Sequence, residues 1–209
     1  MSTSTRVTGR KLLPKILAKI AFDLQAGAVI IFPTETVYGI GTSVFSRTGI
    51  QRLYKLKGRH GRKPLALLVP SLAAAKPLVD EIPPEADRLA KRFWPGPLTL
   101  VFKASTLGRL VTGGLATIGV RIPDHPIALA ILRKVGIPLA TTSVNRSGQK
   151  PAISGTAAAK LFGSQVDWVI DGGVCRVKAA SSVIDLSHYP FTVIRDAAIP
   201  KKALEKALQ

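Results

Sequence analysis

Residues 28–41 read AVIIFPTETVYGIG, an apolar run of strand length that breaks at Pro33 into a short polar loop and closes on glycines. Consecutive apolar residues bounded by Pro and Gly predict a strand buried on both faces. The loop after it carries Thr34, Glu35, Thr36 and Tyr38, three hydroxyl types of position and one carboxylate, at the end of a rigid element. Gly39 and Gly41 let a backbone come close to something. Two readings stand at this point: a binding loop, or a turn whose Thr hydroxyls bond their own backbone.

Upstream, residues 1–9 are rich in Ser and Thr and are expected as a flexible lead-in to a single domain over 10–209. Apolar residues at helical spacing over 12–24 predict a helix, with Pro14 in its first turn and Gly27 at its end. Downstream, Ser46 suits the N-cap of a basic helix reaching Lys57, with Ile50, Leu53, Tyr54 and Leu56 on its buried side and Gly58 as its stop. Strands are expected over 65–69, 99–103, 118–122, 137–142, 166–170, 182–186 and 191–194. Helices are expected over 84–93, 126–135, 154–162 and 200–208, with a short one between Ser71 and Val79. Such interleaving predicts an α/β fold with a mixed sheet flanked by helices, in which sites gather at strand ends. The second polar loop at a strand end runs from Thr141, Thr142 and Ser143 to Asn145, Ser147 and Gly148.

Charge narrows the partners. Thirty Lys and Arg against 12 Asp and Glu give a formal +18 over 209 residues, which points to polyanions or to a general adaptation to solubility. Arg52, Lys55, Lys57, Arg59, Arg62 and Lys63 fall together without an acid among them, either as a solvated helix face or as a phosphate clamp. Lys57 and Arg59 also suit a helix C-terminus through its dipole alone, and Arg121 suits either a small carboxylate or a salt bridge to Asp124. One cysteine, Cys175, permits no internal disulfide, and His60, His125 and His188 show no metal-ligand spacing, so a reducing cytoplasmic setting without structural zinc is expected. No apolar run suits a membrane span. Neither G-x-G-x-x-G nor G-x-x-x-x-G-K-[ST] is present, and no nucleophile elbow or carboxylate pair stands out. Chemistry here rests on cations and hydroxyls.

Taken in order, PTETVYGIG, Lys57-Gly58-Arg59 before Pro64-Leu65, WPGPLTLV, VRIPDHP, Ser143-Val144-Asn145 with Ser147-Gly148, Ser181-Ser182-Val183-Ile184-Asp185 and Val193-Ile194-Arg195-Asp196 resemble the YrdC/TsaC family of threonylcarbamoyl-AMP synthases. The resemblance covers about 15–199, in the short single-domain form. It implies a YrdC-like twisted mixed β-sheet flanked by helices, with a large basic concave cavity. It also implies a nucleotidyltransferase that condenses L-threonine, bicarbonate and ATP to threonylcarbamoyl-adenylate and pyrophosphate, for transfer to tRNA by a threonylcarbamoyl-transfer complex. Carried over by position, Thr36, Arg121, Thr141 and Ser181 match residues that hold threonine. Lys57, Arg59, Lys63, Ser143, Asn145 and Arg195 match the ATP-binding set, with Lys57, Arg59, Ser143 and Asn145 as its catalytic members and Mg²⁺ carried on the phosphates. Adenylyl transfer of this kind needs in-line positioning and charge neutralisation and no side-chain nucleophile. Two positions depart from the family: Leu68 lies where a His is usual, and Lys63 replaces the usual Asn. The alternative from another class is a non-catalytic module binding tRNA or double-stranded RNA, motivated by the charge.

Overall fold

The computed structural model describes residues 5–9, 11–58 and 64–208. Among these residues ten strands form one sheet: β1 (Thr5–Thr8), β2 (Ile30–Phe32), β3 (Gly39–Ser43), β4 (Ala66–Leu68), β5 (Leu98–Lys103), β6 (Thr117–Arg121), β7 (Leu139–Ser143), β8 (Trp168–Asp171), β9 (Ser182–Asp185) and β10 (Thr192–Arg195). The α-helices described flank it: α1 (Pro14–Gln25), α2 (Arg47–Leu56), α3 (Pro84–Phe93), α4 (Thr106–Thr112), α5 (Pro126–Val135), α6 (Gly155–Phe162) and α7 (Lys201–Leu208). The strand order is β1-β8-β2-β3-β7-β4-β6-β5-β9-β10, with parallel and antiparallel pairs mixed. The mixed α/β class expected from the sequence is the one found.

Strand alternation assigns the two faces. Ile31, Ile40, Leu67, Leu100, Phe102, Val120, Ala140 and Ile184 point to a core shared with Leu53 of α2, Leu89 of α3, Phe162 of α6 and Leu204 of α7. On the other face α1 and α5 pack through Ile20, Leu24, Ile131 and Leu132 over Ile30, Phe32, Leu68, Leu139 and Trp168. That second cluster contains residues of β2, β4, β7 and β8 and none of β5, β6 or β9. On those strands the same face carries Thr99, Gly119 and Arg121, out of phase with the core residues Leu98, Leu100, Ile118 and Val120.

Three elements, β1, β3 and α4, stand where no strand or helix was expected. Thr5–Thr8, expected in the flexible lead-in, pairs in parallel with β8 at the sheet edge, and Arg6 reaches Asp171 at 2.7 Å. Gly39–Ser43, expected as the end of a loop, is a central strand paired with β2 and β7. Its glycines serve close approach within the strand: a Cβ at Gly39 would meet the Phe32 ring at 3.3 Å, and one at Gly41 would meet Thr141 Cγ2 at 2.7 Å. The third is α4, capped by Ser105, whose hydroxyl accepts from Gly108 N, and ended by Gly113 at φ 72°. The short helix expected after Ser71 is a 3₁₀ segment, Ala73–Leu78.

Candidate functional site

The loop between β2 and β3 is tied down by its neighbours: Tyr38 N donates to Ala152 O and Val177 N donates to Glu35 O. Thr34, Glu35 and Thr36 are all buried. Arg121, at the end of β6, reaches this loop and is itself buried. Its Nε donates to Gly96 O at 3.0 Å, and its Nη2 donates to Glu35 Oε1 at 2.7 Å and Thr36 Oγ1 at 2.8 Å. No acceptor among the described residues lies on Nη1, so two guanidinium hydrogens remain for a ligand. The bidentate fork expected at Arg121 is therefore half committed to protein. The salt-bridge partner is Glu35, not Asp124, which pairs instead with Arg176 at 2.6 Å on the surface.

Hydrogen counting extends to Thr36. Thr34 Oγ1 donates its only hydrogen to Val37 O at 2.6 Å, so in the 2.8 Å contact between the two hydroxyls Thr36 is the donor. Thr36 Oγ1 also accepts from Arg121, which leaves it one lone pair. The capped-turn reading holds for Thr34, which accepts from Thr36 N and Val37 N, whereas Thr36 keeps one lone pair uncommitted among the described residues.

Ser181 lies beside β9 and joins Thr99 of β5 to Arg195 of β10. Its Oγ is 2.8 Å from Thr99 Oγ1 and accepts from Arg195 Nη2 at 3.0 Å, while Arg195 Nε donates to Ser181 O at 2.7 Å. Partial burial and the nearby Arg121 charge hold the Arg195 pKa below its ordinary value. Two guanidiniums thus share this region with one carboxylate, Glu35, and the surplus positive charge suits an anion.

A second group forms where α2 ends against β7. Lys57 is 2% exposed, and its Nζ donates to Ser143 O, Asn145 O and Asn145 Oδ1, each at 2.6 Å. Ser143 Oγ donates to the same Asn145 Oδ1 at 2.6 Å, and Asn145 Nδ2 donates to Arg146 O and Gln149 O. Lys57 is therefore bonded to the loop that carries Ser143 and Asn145. Thr141, on the same face of β7 as Ser143, donates to Ala66 O at 2.9 Å. Arg59 and Lys63 lie outside the described residues.

The family model described as telomere recombination, Sua5/YciO/YrdC, matches residues 23–197. The chain belongs to the Sua5/YciO/YrdC family. It is 40% identical over 186 residues to the threonylcarbamoyl-AMP synthase of Pyrococcus abyssi and 34% identical over 194 residues to that of Bacillus subtilis. These matches take in 88% and 92% of this chain but 55% and 56% of those proteins, so the chain spans about half the length of these curated relatives. The crystal structure of P. abyssi Sua5 complexed with L-threonine superposes with a TM-score of 0.92 at 37% identity, over 98% of this chain and 61% of that one.

One sizeable cavity lies away from the Arg121 network. About 770 Å³ in volume, it lies between α2 and α4 over Leu67 and Ala140, on the face opposite Arg121, with Ile50, Tyr54, Leu110 and Leu115 in its walls. It is apolar and is not the basic cavity that the family resemblance implies. Among the described residues no group of three or more His, Cys, Asp or Glu is placed to hold a metal ion. No helix among them is long and apolar enough to cross a membrane. Composition gave no hint of the parts played by Thr99 and Gly96; only the alternation of Leu98-Thr99-Leu100 marked Thr99 as facing away from the core.

His125 stands at the rim of the Arg121 network as the N-cap of α5, where its Nδ1 accepts from Ile127 N at 3.2 Å. Burial lowers its pKa, against the opposing fields of Glu35 and Asp124 and with a smaller lowering by Arg176. The group is neutral when folded, so its stabilisation is present above the unfolded value of about 6.5 and is lost as pH falls from there toward the depressed folded value. His125→Asn keeps an oxygen acceptor for the cap without titrating. The melting temperature of the variant is expected to fall less between pH 7.5 and 5.5 than that of the unaltered protein; parallel slopes would remove His125 as the source.

Proposed function

We propose that this chain is an L-threonylcarbamoyladenylate synthase, condensing L-threonine, bicarbonate and ATP to threonylcarbamoyl-adenylate with release of pyrophosphate. The observation that carries the proposal is the Arg121–Glu35–Thr36 network, which leaves two guanidinium hydrogens and one hydroxyl lone pair uncommitted at the end of a strand. Donors for a carboxylate beside an acceptor for an ammonium suit the two ends of an amino acid. Arg195 and Ser181 continue the site toward a phosphate-bearing substrate, and Ser143 and Asn145, organised by Lys57, line up with the ATP-binding positions of the family. Arg59 completes that set by motif, and Lys63 adds a cation where the family usually carries an Asn. Mg²⁺ enters as part of the MgATP substrate, held by the triphosphate. A cytoplasmic setting, with threonylcarbamoyl passed on by a transfer complex to tRNA, fits the same reading.

Similarity to named synthases weighs against the alternative of a chain that only binds RNA. The test is pyrophosphate release from ATP with Mg²⁺ and bicarbonate, with and without L-threonine. Release that rises with threonine supports the proposal, and release indifferent to threonine rejects it.

The Thr36 accounting makes a finer prediction. Thr36→Val removes the lone pair and orphans one Arg121 donor while keeping the shape. The threonine KM is expected to rise about tenfold, corresponding to roughly 1.4 kcal/mol, with the ATP KM within threefold. Equal threonine KM values in steady-state assays would return Thr36 to a purely local role.

A further inference from the structure

Glu35 is the one carboxylate in the network, and neither the threonine set nor the ATP set contains it. Only 2% of its surface is exposed, and both oxygens are engaged: Oε1 by Arg121 Nη2 at 2.7 Å and Oε2 by the backbone N of Asp124 at 3.0 Å. We propose that Glu35 is a positioning residue that fixes the rotation of the Arg121 guanidinium, so that its Nη1 edge faces the amino-acid substrate. The inference rests on the threonine reading of the site given above.

The physical case has three parts. A buried ion pair contributes little net stability compared with an apolar packing of the same shape, so its presence calls for another purpose. Gly96 O fixes Nε and Thr36 takes one hydrogen of Nη2, but both of these acceptors are neutral. Arg195, whose pKa is lowered by burial and by the Arg121 charge, bears a like charge that repels the guanidinium. The Glu35 carboxylate supplies the opposing pull, and the Asp124 N–H ties that carboxylate to the segment between β6 and α5. Arg121 is thereby gripped from the loop after β2 and from the turn after its own strand.

Glu35→Gln separates positioning from simple structure. An amide oxygen can satisfy Arg121 or Asp124 N, and its NH₂ then opposes the other donor, so one bond is lost at nearly constant volume. The expected result is a threonine KM raised about tenfold, with kcat lowered less than threefold and the ATP KM within threefold. In ¹⁵N spectra recorded without substrate, the Arg121 side-chain hydrogens should exchange with solvent at least tenfold faster than in the unaltered protein. Glu35→Asp, which keeps the charge and shortens the reach, should fall between the two on both measures. Unchanged threonine KM and unchanged exchange would overturn the proposal, as would a joint rise of both KM values that tracks a lowered melting temperature. If the unaltered protein shows no threonine dependence at all, the activity proposal fails, and the exchange measurement still decides whether Glu35 holds Arg121.

Discussion

Arg121→Lys is expected to raise the threonine KM at least tenfold, to leave the ATP KM within a few-fold, and to lower the melting temperature by a few degrees. Lysine preserves the charge, so the ion pair with Glu35 at 2.7 Å can be kept by an ammonium. It cannot also keep a planar set of donors on Gly96 O and Thr36 while presenting two more to a ligand, because an ammonium has three hydrogens and a guanidinium has five. One or two buried acceptors lose their partner, at a cost of about 1–2 kcal/mol, which in a chain of this size moves the melting temperature by about 2–8 °C. The larger effect is on substrate, since the Nη1 edge disappears altogether. Initial rates at varied threonine and fixed ATP, with a thermal melt of each protein, check both halves. A normal threonine KM in a folded variant would place the carboxylate site elsewhere. Arg121→Ala is a poorer probe: it strands Glu35 as a buried unpaired charge, which costs about 3–5 kcal/mol and confounds folding with binding.

Most of the fold is written locally, and what escapes the sequence is set by tertiary contacts. α2, α3, α5 and α6 carry their own start signals, Ser46, Pro84, Pro126 and Ser154, and each appears where those signals place it. β3 escapes because Gly39 and Gly41 carry no β-propensity; they are needed by the Phe32 ring and by Thr141 on β7, residues distant along the chain. β1 escapes because an edge strand exposed along most of its length needs no apolar pattern. α4 was legible in principle, since Ser105 and Gly113 are ordinary cap residues, but Gly108 within its seven residues hides it. The candidate site follows the same division. Thr36, Arg121, Ser143 and Asn145 stand out as polar residues at strand ends. The pairing of Arg121 with Glu35, 86 residues apart, and of Thr99 with Ser181, 82 residues apart, depends on the sheet order and on no local signal. Asp124, three residues from Arg121, was the partner that sequence proximity favoured; its backbone N–H serves Glu35 while its carboxylate turns outward to Arg176.

Lys57→Met is expected to do the most damage of any substitution considered, to stability and activity together. A lysine at the end of a basic helix, next to a glycine, suits a phosphate clamp, and a clamp mutated to methionine would raise the ATP KM and leave folding alone. The geometry favours a different role. Lys57 Nζ, nearly inaccessible to solvent, holds Ser143 O, Asn145 O and Asn145 Oδ1, so it joins the end of α2 to the loop that carries both Ser143 and Asn145. Methionine keeps an unbranched stem one atom shorter, yet leaves these acceptors without the ammonium and Asn145 Oδ1 with only the Ser143 hydroxyl. Hydrogen bonds to a charged group contribute about 1.5–3 kcal/mol each, and the recovered cost of burying the ammonium offsets part of their sum, so a net loss of about 3–4 kcal/mol is expected. That corresponds to a melting temperature lower by roughly 6–16 °C. At temperatures where the variant is still folded, kcat is expected to fall about a hundredfold or more, because Ser143 and Asn145 lose their mutual orientation and pre-organisation at a transferring phosphoryl group is where most of the rate arises. Differential scanning fluorimetry and pyrophosphate release, both measured well below the variant's midpoint, separate the two roles. A melting temperature within 2 °C of the unaltered protein, coupled to a selective rise in the ATP KM, would show that Lys57 leaves its loop to meet the phosphates.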